Sequence, residues 1–179
     1  MTNGICVVCG IDPGLRQTGY GVLRIDHEDD TVQVVDAGVI TCSRDESLGL
    51  RLAELAAGID EVLDENDVQV VAVEQVYSHA QWPRTAILMA HARGVMLLEA
   101  ARRDCRILHL PATTVKRHLT GSGRANKEQM QRAVASALGL SILPEPADVA
   151  DALAIALCGV GVLQQPARQA WVRDDLLTK

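Results

Sequence analysis

Asp148 and Asp151 stand three residues apart at the front of the apolar run Ala152–Leu157, just after Pro144 and Pro146. Proline suits the first turn of a helix and disrupts its interior, so a helix is expected to begin near Ala147. Residues at that spacing share one helical face, and the two carboxylates point the same way. Side by side they repel, and the dipole of a helix N-terminus relieves this only slightly. A divalent cation relieves it far more, and carboxylate oxygens are the hard ligands that magnesium and manganese take. Taken alone, the pair more simply reads as two solvated aspartates opening a helix. The metal chemistry follows only if further carboxylates converge on the same place.

The elements that would bring them there can be followed along the chain. Ile5–Ile11 is a short apolar run closing on Asp12-Pro13-Gly14, a buried strand and its turn. Thr18–Ile25 and Thr31–Thr41 read as strands, with His27–Asp30 as the hairpin connection. Leu48, Leu52, Leu55, Ile59 and Val62 recur at helical spacing and place a helix over Ser47–Glu65. Val68–Val73 is a central strand ending at Glu74, Arg84–Arg103 a long helix, and Cys105–Leu110 a fifth strand. Ala112–Leu119 is a short helix. Asn126 caps the next one, with Gln129 completing a capping box, to about Leu138; the Asp148 helix runs to about Leu163. The order βββαβαβ followed by helices predicts an α/β fold: a five-stranded mixed sheet, three antiparallel strands then parallel ones, with helices on both faces. Residues 1–163 are expected to form the domain and 164–179 a loose C-terminal tail.

Right-handed crossovers set the fourth strand beside and parallel to the first. Asp12 and Glu74 then end adjacent strands, about 5 Å apart, where open α/β sheets place their sites. Glu74 is the more telling of the two, because a carboxylate finishing a Val-Val-Ala-Val strand is costly to bury unpaired. With the Asp148 helix docked over these strand ends, four carboxylates converge. Two divalent ions held there can clamp the attacking and leaving oxygens of a phosphodiester.

Composition limits the partners. The net charge of -6 argues against general polyanion binding, but the charge is uneven. Between Arg84 and Arg132 there are ten Lys or Arg against three Asp or Glu, whereas the rest of the chain holds seven against twenty. A basic middle suits one local polyanion-binding face. Phenylalanine is absent and the four aromatics are Tyr20, Tyr77, Trp82 and Trp171, so the core must be aliphatic. The five cysteines lie mostly in apolar runs and read as buried thiols of a reducing compartment. Cys6 and Cys9 have redox or zinc spacing, yet residues three apart in a strand face opposite ways. No run approaches the length needed to cross a membrane and no secretory leader is visible. A cytoplasmic protein without membrane association is expected. Gly121–Lys127 lacks the glycine before lysine of a phosphate loop and reads instead as a flexible basic loop.

Gly10-Ile-Asp-Pro-Gly14, Thr18-Gly-Tyr-Gly21, Glu74-Gln-Val-Tyr77 and Asp148-x-x-Asp151-Ala-Leu-Ala-Ile-Ala resemble, in order, the RuvC family of Holliday junction resolvases. Ala92-Arg-Gly94 and Val115-Lys116 match as well, and the resemblance spans Ile5 to about Leu163. It implies the ribonuclease H-like fold and a crossover junction endodeoxyribonuclease. Such an enzyme makes paired symmetric nicks in four-way DNA junctions in recombination and repair, leaving 5′-phosphate and 3′-hydroxyl ends. By the same resemblance Asp12, Glu74, Asp148 and Asp151 are the catalytic, metal-binding residues. They would hold magnesium or manganese, two ions per site, with Asp12 expected to bridge them. Some relatives carry histidine at the Asp148 position. Lys116 and Lys127 match basic residues near the DNA phosphates, and Tyr77 matches an aromatic ring that stacks on bases at the crossover. Trp82 lies in the same loop, and Arg84, Arg117 and Arg124 extend the DNA-binding set.

The resemblance further implies a homodimer formed through the Arg84–Arg103 helix and cooperation with the RuvA–RuvB branch-migration complex. The surplus of apolar residues on that helix agrees: one face packs on the sheet and another needs a partner. Replacing Met89 and Met96 by glutamate is expected to give soluble monomers. The nearest rival is a nuclease of the same fold acting on RNA. An actin-like ATP-binding protein needs two such domains, for which 179 residues are too few. A catalytically dead junction-binding module is opposed by carboxylates at all four positions.

Overall fold

In the computed structural model, which describes residues 4–75 and 83–165, the alternation along β1 (Ile5–Asp12) sets the layers. Val7, Cys9 and Ile11 face one core, whereas Cys6 and Val8 face the other, as the pleat requires. Cys6 and Cys9 thus lie on opposite sides of the sheet, and none of the five cysteines forms a disulfide among the described residues. β1 pairs antiparallel with β2 (Gln17–Asp26), and β2 with β3 (Thr31–Thr41). Helix α1 (Leu48–Glu65), capped by the Ser47 hydroxyl, leads to β4 (Val70–Glu74). Helix α2 (Pro83–Arg102) leads to β5 (Arg106–Leu110). β4 runs parallel to both β1 and β5, giving the order β3-β2-β1-β4-β5. This is the expected five-stranded mixed sheet. β4 starts two residues later than its apolar run, because Val68 N still donates back to the Leu63 carbonyl of α1 at 3.1 Å.

Helices cover both faces. α1 and α2 enclose one core around Leu55, Ile59, Ala92 and Met96. α3 (Ala112–Thr120), α4 (Lys127–Ala137) and α5 (Ala147–Gln164) enclose the other around Val115, Met130, Val134 and Leu153. The capping box opens α4 as expected: Asn126 Oδ1 accepts from Gln129 N and Gln129 Oε1 accepts from Asn126 N, each at 2.9 Å.

α5 corrects one expectation. It is long and apolar enough, by length and composition, to cross a membrane, although no run was expected to approach that length. The reason is its position. The sheet lies on one side and α3 and α4 on the other, so residues all round α5 are buried and must be apolar. A second correction concerns α2. Met96 is fully buried in the core beneath α1 and α2 and Met89 is half-buried, while Ile87 and Leu98 are 56% and 49% exposed. Glutamate at Met96 would break the core rather than separate subunits; Ile87 and Leu98 are the outward apolar side chains. The expected tail lies, from residue 166 onward, outside the described residues.

Candidate active site

Pleat parity places the first two carboxylates. On β1, residues 6, 8, 10 and 12 face α5; on β4, residues 70, 72 and 74 do. The register pairs Ile11 with Val73, so Asp12 and Glu74 follow on adjacent parallel strands, both turned toward α5. Glycines let that helix come close. Gly10 sits opposite Gly21 and Asp12 opposite Gly19 across β1 and β2. A Cβ on Gly10 would overlap backbone atoms of Ala152 and Ala156, one on Gly19 the Asp148 carbonyl, and one on Gly21 the Leu153 side chain. The first two turns of α5 therefore rest on bare backbone, which brings Asp148 and Asp151 beside Asp12. The turn between β1 and β2 is tied by the buried Thr18, whose Oγ1 donates to the Gly14 carbonyl at 2.5 Å.

Asp12, Glu74 and Asp151 line one hollow of about 210 Å³ together with Ala112, Lys116, Lys127 and Met130. Burial, then the charges of Glu74, Asp151 and Asp148, push the Asp12 carboxyl up to about 7, against the opposing charge of Lys127. Burial and then Asp151 raise Glu74, with Lys116 opposing. Burial likewise raises Asp151; Asp148 adds to the shift, and Lys127 and Lys116 oppose it. Asp148 is absent from the lining of the hollow but contributes its charge to both neighbouring aspartates. Three of the four expected carboxylates thus share the hollow and the fourth stands beside it. A larger hollow of about 780 Å³, bordered by Ile5, Arg24, His27 and Gln69, lies at the opposite end of the sheet and gathers no carboxylate cluster.

The donor set fits a hard divalent cation: three carboxylates, each raised by burial and like charge, face one enclosed space. Among the described residues no three such side chains yet enclose a common point as the ligands of an ion do.

Lys116, on α3, and Lys127, opening α4, both reach the hollow without forming an ion pair among the described residues. Arg84, Arg117 and Arg124 are exposed and lie outside the lining. Tyr77 and Trp82 fall outside the described residues. The ring of His118 packs against Gly161 of α5. Sequence reasoning missed a pair behind Glu74: Arg93 of α2, 9% exposed, donates from Nε to the Glu74 carbonyl at 3.1 Å and from Nη2 to His109 Nδ1 at 2.6 Å. Arg93 stood in the sequence only as the middle of the matching Ala92-Arg-Gly94, an arginine inside the apolar pattern of α2 with no role assigned to it.

This sheet order, with carboxylates at the ends of its two central strands and on the helix crossing them, defines a ribonuclease H-like α/β protein. The family model described as crossover junction endodeoxyribonuclease RuvC matches residues 8–159. A crossover junction endodeoxyribonuclease RuvC from Rhodopirellula baltica is 48% identical over 163 residues, covering 91% of this chain and 90% of that protein. The Thermus thermophilus RuvC structure superposes with a TM-score of 0.79 at 31% identity, over 88% of this chain and 95% of that one. The structure of Thermus thermophilus RuvC in complex with Holliday junction substrate gives 0.78 at 29% identity, with the same coverage. The chain belongs to the RuvC family.

Proposed function

We propose that this protein is a metal-dependent endonuclease that resolves four-way DNA junctions by paired symmetric nicks, and that the hollow at Asp12 is where it cuts. The convergence of Asp12, Glu74 and Asp151, from three separate elements, on one space fringed by Lys116 and Lys127 carries this reading. Magnesium or manganese, two ions per site, would supply charge neutralisation and an activated water when bound. Asp12, Glu74 and Asp151 would hold them, with Asp148 completing the set. Lys116 and Lys127 would meet the phosphates beside the scissile bond. Arg84, Arg117 and Arg124 would add contacts along the strands, which position DNA without reading its sequence and make binding salt-sensitive. Tyr77 and Trp82 would stack on bases at the crossover. The relatives' activity and the junction bound in the Thermus complex favour DNA over RNA.

Cutting two symmetry-related strands calls for two sites in matching geometry, which a two-fold dimer provides. Ile87, His91, Gly94, Leu98 and Ala101 are exposed along α2 at heptad-like spacing, and a partner's α2 would cover that stripe. Residues 1–163 would serve as the nuclease domain, acting in the cytoplasm with the RuvA–RuvB branch-migration machinery. An end-labelled junction with a mobile core of mixed sequence, set beside a linear duplex, tests the function. Paired nicks in the junction alone, dependent on added magnesium or manganese, are expected. Equal cutting of the duplex, or cutting in chelator, would contradict it.

A further inference from the structure

Arg93 is a buried cation with neutral partners. Its guanidinium donates to the Glu74 carbonyl at 3.1 Å and to His109 Nδ1 at 2.6 Å, and it forms no ion pair among the described residues. A guanidinium only donates, so Nδ1 of His109 is the acceptor in this contact. Burying a cation on neutral acceptors is costly, and here it is done at one place, behind the last residue of β4.

That place is where the sheet stops holding Glu74. On the β5 side the ladder continues one step further, with Gln75 N donating to the Leu110 carbonyl at 2.9 Å. On the β1 side the register that pairs Ile11 with Val73 leads to Asp12 and then Pro13, and proline has no N–H to offer a strand-end carbonyl. Arg93 supplies a donor to that carbonyl from the helix above. Its planar fork holds the carbonyl and the β5 ring together, a geometry that a lysine ammonium does not reproduce.

We infer that Arg93 is a positioning residue for the cleavage reaction: it fixes the backbone of Glu74, and thereby the place of its carboxylate in the hollow, while His109 holds the guanidinium in line. The inference rests on the reading of Glu74 as part of the cutting site. A group that fixes a carboxylate from behind typically changes activity or metal affinity by about 10–100-fold when removed.

The test compares the protein with Arg93→Gln, Arg93→Lys, Glu74→Gln and the Glu74→Gln/Arg93→Gln pair. Three quantities are measured: kcat and KM on a four-way junction, junction affinity in metal-free buffer, and the rise in Tm caused by magnesium. Arg93→Gln is expected to lower kcat by about 10–100-fold with KM and junction affinity unchanged, and to shrink the magnesium-induced rise in Tm. Arg93→Lys should fall between. In the Glu74→Gln background, Arg93→Gln should take away nothing more from that rise, because residues acting as one unit are non-additive. Additive effects, an unchanged kcat, or a loss confined to junction affinity would overturn the inference. Should Arg93→Gln fail to fold, Arg93→Lys decides; failure of both would make Arg93 a folding residue and overturn it too. Glu74→Gln cutting at the normal rate would instead sink the reading of the hollow, and this inference with it.

Discussion

Asp60 and Asp64 at one end of the molecule, and Asp12, Glu74 and Asp151 at the other, are similar side chains in opposite circumstances. Arg103 donates from Nε to Asp60 at 2.7 Å and from Nη1 to Asp64 at 2.6 Å, tying α1 to the end of α2. The hydrogen bond from Arg103, first of all, holds the Asp60 carboxyl below its ordinary range. At the other end no guanidinium among the described residues pairs with the carboxylates, and burial with like charge, opposed by Lys127, pushes Asp12 up to about 7. One end pairs its charges and serves the fold. The other leaves them only partly compensated, by Lys116 and Lys127 without an ion pair among the described residues, which a protein tolerates where a ligand will supply the missing charge.

The largest change that sharpens this contrast is at the level of assembly. If the proposed dimer forms through α2, Ile87→Glu with Leu98→Glu should yield monomers in sedimentation and turn paired nicks into unlinked single ones; an unchanged sedimentation coefficient with paired nicks retained would remove α2 as the interface. Next comes the pH dependence of the metal-free protein. The folded-state value for Asp12 lies above its ordinary 3.8, at about 7, so between those limits the folded state holds the proton more tightly than the unfolded one. Stability from this group is therefore greatest below about pH 4 and falls as pH rises to 7. The loss should be about 4 kcal/mol, or roughly 8–16 °C in Tm, read as the difference from an Asp12→Asn variant. Added magnesium should abolish most of that difference at pH 8. A difference that grows as pH falls would contradict the account. The smallest effect belongs to the paired end. Asp60 has a depressed value, so what it contributes is present above its ordinary range and lost only in acid. Exposed pairs contribute little, and Asp60→Asn should leave Tm nearly unchanged at pH 7 and cleavage untouched.

Much of this was legible in the chain. Short connections and apolar runs of strand length gave the element order, and Asn126 with Gln129 announced the start of α4. Asp12 and Glu74 could be brought together because strand parity and the right-handed crossover leave little choice. What stayed hidden depends on packing between elements. Met89 and Met96 look alike in a helix apolar on several sides, and only the docking of α2 on α1 and the sheet decides that Met96 points inward. The sandwiching of α5 makes a core helix read like a membrane span. The hold of Arg93 on Glu74 joins residues 19 apart through a backbone carbonyl, which no side-chain pattern records.

The most direct measurement is on Asp12→Asn, taken two ways at once. Removing the buried charge should raise the Tm of the metal-free protein at pH 8, while junction affinity stays the same and cleavage falls on the order of 100-fold or more. A variant that is stabilised, binds and does not cut is what a hollow built for cations predicts. A variant that still cuts, or that loses stability with its charge, would contradict the claim that this only partly compensated cluster is the site of the reaction.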